Sequence, residues 1–155
     1  MDRRTLLVLV TLLGLIPASK GFAEAPDIEG VKAASNAFYT ALPVLDDGTI
    51  MESVWANKPY VTYVGPRSTS IIVGWETQKK YWESFNKAFA ARSVSIVDPH
   101  IHVVGNLAWE IGFEAGQAQM KDGSTRKVDW IVTNVYEKID GRCLMVSHHV
   151  QPKPQ

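Results

Sequence analysis

The sequence predicts an α+β fold in which helices precede a meander of long antiparallel strands. Three observations support this prediction. Apolar residues recur at helical spacing over residues 27–42, apolar and polar residues alternate after residue 93, and glycine-containing turns separate the alternating runs. Helices followed by strands are typical of a sheet covered by helices. We expect a strongly curved sheet of about five or six strands, wrapped as a cone-shaped barrel around about three N-terminal helices.

The first 25 residues have the layout of a secretory signal peptide. Two arginines precede an apolar run over residues 6–16, and Ala23-Glu24-Ala25 is a suitable cleavage site. The run is short for a transmembrane helix, although an uncleaved membrane anchor is the alternative. We therefore predict a periplasmic or secreted protein with one domain over residues 26–151 and a free tail over residues 152–155.

Charge and cysteine content exclude several classes of partner. The chain has 16 Lys and Arg and 16 Asp and Glu, and loss of residues 1–25 removes three basic and two acidic residues, leaving 13 against 14. Such a chain without a basic run is not expected to bind nucleic acid or, after cleavage, a membrane. The single cysteine, Cys143, cannot form an internal disulfide and is interpreted as a small buried apolar residue.

The helices are predicted from their apolar stripes. The first covers Asp27–Leu42, with Asp27 as N-cap and Pro43 ending it. A short second helix extends from Thr49 to Trp55. The third, Glu76–Ala90, follows Gly74 and buries a stripe of four residues: Gln78, Trp82, Phe85 and Phe89.

Strands account for the rest of the domain. The predicted strands are Tyr60–Val64, Ile71–Val73, Ser93–Val104, Leu107–Gln119, Lys127–Lys138 and a last strand ending at Val150. Arg67, in the loop between the first two, could close over an anionic ligand. Asp140-Gly141 predicts a two-residue hairpin loop with Ile139 opposite Arg142.

Regular pairing from this loop assigns two faces to the closing hairpin. One face has Ile131, Thr133, Val135, Leu144, Val146 and His148. The other has Trp130, Val132, Asn134, Tyr136, Cys143, Met145, Ser147 and His149. Neither face is plainly exposed to solvent, which indicates either an enclosed, partly polar cavity or a second packing surface. His148 is expected opposite Thr133 and His149 opposite Val132, so at most one histidine faces the cavity.

The order of these elements resembles the SnoaL-like branch of the nuclear transport factor 2-like superfamily. The resemblance covers nearly the whole domain and depends on short motifs in order: Val54-Trp55-Ala56, Val73-Gly74-Trp75-Glu76, Asn106-Leu107-Ala108-Trp109, Thr133-Asn134-Val135, Asp140-Gly141-Arg142 and Ser147-His148-His149. Cys143 departs from the family, which usually has Trp after the Asp-Gly turn. The resemblance implies a pocket between helices and sheet and a homodimer paired through the sheets. Because members include isomerases, cyclases, dehydratases and non-catalytic domains, it implies no single function.

Candidate site residues follow from what an isomerase or cyclase needs, namely a base and a hydrogen-bond donor in an apolar pocket. The main catalytic candidates are Asp129, His148 and His149, and Glu110 and Glu114 are further candidate bases. The predicted ligand-binding residues are Tyr39, Tyr63, Trp82, Trp109, Trp130 and Thr133. His100 and His102 share a strand face but lack further metal ligands, so we predict no metal site and no cofactor.

The sequence is compatible with three functions. The first is an exported protein that binds a small apolar or aromatic molecule in its pocket, as a homodimer. The second is an isomerase, cyclase or dehydratase that uses an Asp or His base. The third is a non-catalytic interaction module whose exposed face would contain Trp130, Tyr136, Met145 and His149.

Overall fold

The computed structural model describes residues 26–153, which form two α-helices, one 3-10 helix and a six-stranded curved sheet. The helices are α1 (Ile28–Ala41), the 3-10 helix (Thr49–Ser53) and α2 (Trp75–Asn86). The strands are β1 (Thr62–Val64), β2 (Ile72–Val73), β3 (Phe89–Val104), β4 (Leu107–Met120), β5 (Thr125–Ile139) and β6 (Arg142–Pro152). The sheet has the order β2-β1-β6-β5-β4-β3, so the α+β class is confirmed.

Two ends of the chain lie outside this description. The predicted signal peptide covers residues 1–25, and residues 154–155 belong to the predicted tail. β6 continues through Pro152, and Lys153 Nζ lies 2.7 Å from Asp129, so the first two tail residues are attached to the sheet. Within residues 26–153, no helix has the length and apolar content needed to cross a bilayer.

The helices differ from the prediction in number and length. α1 begins at Asp27, whose carboxylate accepts a hydrogen bond from the Gly30 amide, as expected of an N-cap. The predicted second helix is a 3-10 helix of five residues, and the structure therefore has two α-helices where three were expected. α2 ends at Asn86, and Phe89 instead begins β3 opposite Met120.

The long strands β3 to β6 give the sheet an inner face toward the helices and an outer face away from them. On β4, Glu110 and Glu114 lie on the inner face and are 1% and 3% exposed. Ile111 and Phe113, on the outer face of the same strand, are 42% and 37% exposed. The outer face at this part of β4 is therefore apolar and exposed to solvent, whereas the inner face contains buried carboxyl groups.

A β-bulge in β6 decides which histidine faces inward. The hairpin begins as predicted, with Ile139 opposite Arg142, and Asp140 and Gly141 both have positive φ. The register then shifts by one residue at Val146, so that Asn134 pairs with His148. This corrects the regular pairing, which placed His148 opposite Thr133.

The shift reassigns the residues beyond the bulge to opposite faces. His148 lies on the inner face and is 3% exposed, whereas His149 pairs with Thr133 on the outer face. The predicted interaction face is also wrong, because Tyr136 and Met145 are fully buried in the core. The exposed apolar residues of the sheet belong to the other face, and they include Val97, Ile111 and Phe113.

Candidate active site in the inner cavity

A small cavity of about 50 Å³ lies between the inner face of the sheet and the two α-helices. Its walls are mainly aromatic and aliphatic, and three polar side chains also line it: Arg92, Glu114 and His148. A larger outer space of about 480 Å³, here called the vestibule, adjoins it. The two spaces share six wall residues: Pro66, Phe85, Phe89, Ala118, Val128 and Trp130. The vestibule is thus the approach from solvent to the inner cavity.

Glu114 is the carboxyl group of the inner cavity. β4 places it there because it pairs with Trp130 on one side and Ile96 on the other, both on the inner face. The Tyr39 hydroxyl of α1 donates a hydrogen bond of 3.1 Å to Glu114 Oε1. Burial raises the pKa of Glu114 to about 7, although the Tyr39 hydrogen bond and the Arg92 charge oppose this rise. At neutral pH Glu114 can therefore either accept or give a proton.

His148 is neutral and its tautomer is fixed. Burial lowers its pKa to about 3. Its Nδ1 lies 2.8 Å from Asn134 Oδ1, and since a carbonyl oxygen only accepts, Nδ1 is the protonated nitrogen. Nε2 is therefore an acceptor, and it lies 3.9 Å from Glu114 Oε1. His148 also stacks on the Tyr63 ring, with centroids 5.3 Å apart.

Asn134 is oriented by a second buried carboxylate, Glu110. Asn134 Nδ2 donates to Glu110 Oε2 at 3.1 Å and to the Tyr39 hydroxyl at 3.3 Å. The Tyr136 hydroxyl donates to the same Glu110 oxygen at 2.9 Å. Because Nδ2 is committed to these acceptors, Oδ1 must face His148. Glu110 therefore fixes the histidine through the amide, without lining the cavity itself.

Two N–H donors in the cavity wall have no hydrogen-bond partner among the residues that the structure describes. They are Nη1 of Arg92 and Nε1 of Trp82. The other guanidinium nitrogens of Arg92 are occupied, since Nε and Nη2 donate to the Leu42 carbonyl and Nη2 also donates to Asn86. Burial lowers the pKa of Arg92 to about 10, which leaves the group charged at neutral pH.

The structure brings five of the predicted site residues to the inner cavity: Tyr63, Trp82, Glu114, Trp130 and His148. A sixth, Tyr39, reaches it indirectly through its bond to Glu114. The structure does not bring the others there. Trp109 and Thr133 lie on the outer face, opposite Val135 and Ile111.

Two catalytic candidates are also placed away from the cavity. His149 is exposed on the outer face. Asp129 shares that face and is bound by Lys127 and Lys153. Hydrogen bonds from these two lysines lower the pKa of Asp129, so it is a charged surface carboxylate. Cys143 packs against the core, and burial raises the pKa of its thiol to about 11.

His100 and His102 gain no third metal ligand among residues 26–153. Across residues 26–153, no three side chains from His, Cys, Asp and Glu are grouped to hold an ion. His102 stacks on Trp109 on the outer face, with ring centroids 5.3 Å apart. Two polar residues of this site, Arg92 and Asn134, were not predicted from the sequence. Asn134 lies between Val132 and Tyr136, which share its face and are buried, and a polar residue in such a stripe is a usable signal. Arg92 has no such signal, because its pleat neighbour Val94 is buried but Ala90 is exposed.

Comparison with solved structures supports the same architecture. A candidate dehydratase of the nuclear transport factor 2-like family from Streptomyces avermitilis is 21% identical, with a TM-score of 0.72 over 83% of this chain and 98% of that one. A protein of the same superfamily from Salmonella enterica is 20% identical, with a TM-score of 0.74 over 82% and 91%. A candidate aromatic ring hydroxylase from Novosphingobium aromaticivorans is 11% identical, with a TM-score of 0.74 over 84% and 93%. At these identities the likeness shows the fold alone.

The sequence comparisons give the family. No curated protein matches the chain significantly. The SnoaL-like domain model, by contrast, matches residues 31–151, which include most of α1, all of the sheet except Pro152, and every residue of the inner cavity. On this evidence the chain belongs to the SnoaL-like domain family, and its fold is the one seen in nuclear transport factor 2-like proteins.

Proposed function

We propose that this protein binds a small, largely apolar organic molecule in a cone-shaped space made of the inner cavity and the vestibule, and that Glu114 transfers a proton to or from it. The observation that carries the proposal is a carboxyl group with a pKa of about 7 inside an aromatic-walled cavity. General acid–base catalysis works best when the pKa of the group lies near the working pH. The site geometry thus favours an enzyme over a binding protein.

The cavity also supplies a partner for the charge that proton removal creates. When a base removes a proton beside a carbonyl group, negative charge develops on the carbonyl oxygen. Arg92 Nη1 and Trp82 Nε1 are unused donors in the same wall as Glu114. A carbonyl oxygen that accepts from one of them would hold its neighbouring carbon toward the carboxylate. Residues of these types, a base and buried donors, are what an enolisation needs.

The reaction class that follows is isomerisation or dehydration of a carbonyl compound. Glu114 takes the proton from carbon, and the electron pair moves onto the carbonyl oxygen. In an isomerisation Glu114 returns the proton to another carbon of the same molecule. In a dehydration a hydroxyl group leaves from the adjacent carbon, takes up the proton and departs as water. A protein described as a candidate dehydratase has the same fold, so the fold is compatible with this class.

Proton exchange in heavy water tests the proposal. The protein is incubated with cyclohexenone and phenylacetone, and exchange of the carbon-bound protons is followed by NMR. We expect exchange above the buffer rate, and Glu114→Gln should lower it by about 100-fold or more. The rate should rise with pH and level off above about 7, as the carboxylate forms. Glu83→Gln, an exposed carboxylate on α2, is the matched control and should not change it.

Two results would count against this assignment. Equal exchange rates for wild type and Glu114→Gln would exclude Glu114 as the base. Binding of both ketones without any exchange above buffer would favour the non-catalytic reading, a protein that only binds its ligand. Trp82→Phe tests the role of Trp82 as a hydrogen-bond donor, because phenylalanine keeps an aromatic ring in the wall but has no Nε1 donor. This variant should slow exchange about tenfold.

We infer that the outer face pairs two copies into a homodimer. Val97, Ile111 and Phe113 are exposed apolar residues on adjacent positions of β3 and β4. Apolar patches of this kind on a sheet favour burial against a partner. Sedimentation should give a dimer for the wild type and a monomer for Phe113→Glu. Val44→Glu, an exposed apolar residue outside the sheet, should leave the dimer intact.

We also propose that residues 1–25 direct export and are removed. The argument is the layout of the sequence, a basic start, an apolar run and Ala23-Glu24-Ala25. Expression of the full chain with a C-terminal tag in a bacterium, followed by N-terminal sequencing of the periplasmic fraction, checks this. Mature protein should begin at Pro26. Full-length protein in the membrane fraction would instead support an anchor.

A further inference from the structure

The vestibule is positively charged at its mouth. Arg67 lies in the loop between β1 and β2, and Arg126 lies at the start of β5; both line the vestibule. Arg126 points inward because it pairs with Ala118, an inner-face residue of β4. Among the described residues that line this space, none is Asp or Glu. Two guanidinium groups thus face a concave, partly apolar surface.

The positive charge at the mouth of the vestibule does not follow from the composition of the whole chain. The chain as a whole has 16 basic and 16 acidic residues. The third basic residue of the lining, Lys127, pairs with Gln117 on the outer face, and its ammonium group is 3.1 Å from Asp129. The charge of Arg126 helps to lower the pKa of Asp122, whose carboxylate accepts hydrogen bonds from Ser124. Among the described residues, no hydrogen bond or ion pair engages the guanidinium group of Arg67 or Arg126, so both can bind an incoming ligand.

At the inner end of the combined space, the ligand would meet a carboxyl group instead of the two arginines. The inner cavity ends at Glu114, between aromatic walls that include Trp82 and Trp130. A carboxylate or sulfonate placed beside the Glu114 carboxyl would be desolvated next to a like charge. The same group at the mouth would meet two planar forks of donors that suit it geometrically. The charge distribution thus fixes one orientation for an anionic ligand.

We infer that the ligand is an amphipathic organic anion, an arene or alicycle bearing a carboxylate or sulfonate. Its anionic group binds Arg67 and Arg126 at the mouth, and its apolar body extends toward Glu114. This inference rests on the proposed function, because it names the substrate class of the same site. The shared six-residue wall between vestibule and inner cavity allows one molecule to occupy both.

Arg92 is the other cation that could take the anion, and the geometry disfavours it. Its Nε and Nη2 hold the Leu42 carbonyl, and its guanidinium lies 5.0 Å from the centroid of the Phe89 ring. Only Nη1 remains free, so a bidentate bond to a carboxylate is not available there. The inner cavity of about 50 Å³ also leaves little space for a hydrated anionic group beside Glu114.

A matched pair of ligands tests the inference. Hydrocinnamate and its neutral amide differ only in the anionic group, and calorimetry with tryptophan fluorescence measures both affinities at a pH of about 8, where the acid is ionised. We expect wild type to prefer the anion by about fivefold or more, which corresponds to roughly 1 kcal/mol. Added salt should weaken binding of the anion and leave that of the amide unchanged. The sulfonate analogue should behave as the carboxylate does.

Substitutions of single residues and pairs show which arginines cause the preference for the anion. Arg67→Gln with Arg126→Gln should reduce the preference for the anion to about onefold, with affinity for the amide unchanged. Arg142→Gln, an exposed arginine outside the vestibule, is the control and should keep the full preference. An unchanged preference in the double variant would overturn the inference.

The same experiment separates this inference from the function on which it rests. Equal binding of anion and amide by wild type would overturn the anionic class and leave the pocket and Glu114 chemistry standing. Absence of binding by either ligand, with no change in tryptophan fluorescence, would count against the pocket itself. A loss of anion preference in Arg92→Lys with the mouth variants unaffected would move the anion to the inner cavity and so refute the orientation.

Discussion

Nε2 of His148 lies 3.9 Å from Oε1 of Glu114 inside the inner cavity, and burial moves the pKa values of the two groups in opposite directions. The pKa of Glu114 is raised from 4.5 to about 7, and that of His148 is lowered from 6.5 to about 3. In the folded protein both groups are therefore mainly uncharged between about pH 3 and pH 7. A proton passed from Glu114 to His148 in that window would create a buried ion pair, so the two neutral forms are favoured over transfer between these groups.

Replacing Glu114 by Gln should stabilise the protein above pH 7. A raised folded-state pKa contributes stability below pH 4.5 that is lost as pH rises through about 7. Glutamine can still accept the Tyr39 hydrogen bond and has no charge to bury. We expect Glu114→Gln to exceed wild type by up to about 3 kcal/mol at high pH and to match it in acid. Urea unfolding across the pH range measures this, and a constant difference between the two proteins would contradict it.

His148 should give the stability of the protein a pH dependence opposite to the one that Glu114 gives. Its lowered pKa contributes stability that is present above 6.5 and is lost as pH falls to about 3. In wild type this slope and that of Glu114 oppose each other between about 4.5 and 6.5, so stability should be nearly flat there. In Glu114→Gln the His148 slope should appear alone. Stability that rises with acid in that variant would refute the assignment of His148 as neutral.

The bulge predicts unequal effects for two adjacent histidines. His148 is buried against Phe38 and Tyr63, whereas His149 is exposed on the outer face. His148→Ala should cost about 3 kcal/mol through lost packing and an unpaired Asn134 carbonyl. His149→Ala should cost less than about 0.5 kcal/mol in the monomer. Thermal unfolding of both variants at low protein concentration checks the register of β6, and equal costs would refute it.

Asn134 should matter more for stability than its size indicates. Its amide donates to Glu110 and Tyr39, and its carbonyl accepts from His148. Asn134→Ala would leave a buried carboxylate and a buried ring N–H short of partners, at a cost of about 3 kcal/mol. Asn57→Ala, at an exposed position, is the control and should cost a few tenths. A small effect at Asn134 would mean that water replaces its hydrogen bonds.

Gly116 allows β3 and β4 to approach closely. A Cβ at this position would lie 2.0 Å from the Ser93 carbonyl oxygen, and its φ is 151°. Gly116→Ala should therefore cost about 2 kcal/mol or more, since the backbone itself must move. Gly123→Ala, in an open turn with positive φ, should cost only about 1 kcal/mol. Similar losses for both variants would mean that β3 relaxes easily.

The helical stripes and turn glycines were sufficient to predict the fold class and most strand positions. Binary patterning was less reliable for the sheet faces. On β4 the apolar residues Trp109, Ile111 and Phe113 alternate with Glu110 and Glu114, and this pattern ordinarily indicates that the apolar side is buried. The structure has the reverse arrangement, because the glutamates line or support a cavity and the apolar side faces outward. An alternating pattern of apolar and polar residues cannot by itself distinguish a buried apolar face from one that is exposed to solvent.

The identity of the inward-facing histidine could not be predicted for a different reason. Side chains alternate with period two, so one extra residue reverses the face of every later position. Val146 is that residue, and nothing in Met145-Val146-Ser147 resembles a turn or glycine that would indicate a bulge. Met145 and Val146 are both buried, which only the folded sheet reveals.

The one-residue bulge at Val146 also affects how functional labels can be transferred between relatives. An alignment that leaves no gap at Val146 against an unbulged homologue will match His149 with that homologue's inward-facing residue. The label would then fall on a surface histidine, while His148 would be scored as variable. Homologues should therefore be aligned to this chain by sheet register, with Asn134 opposite His148 as the fixed point.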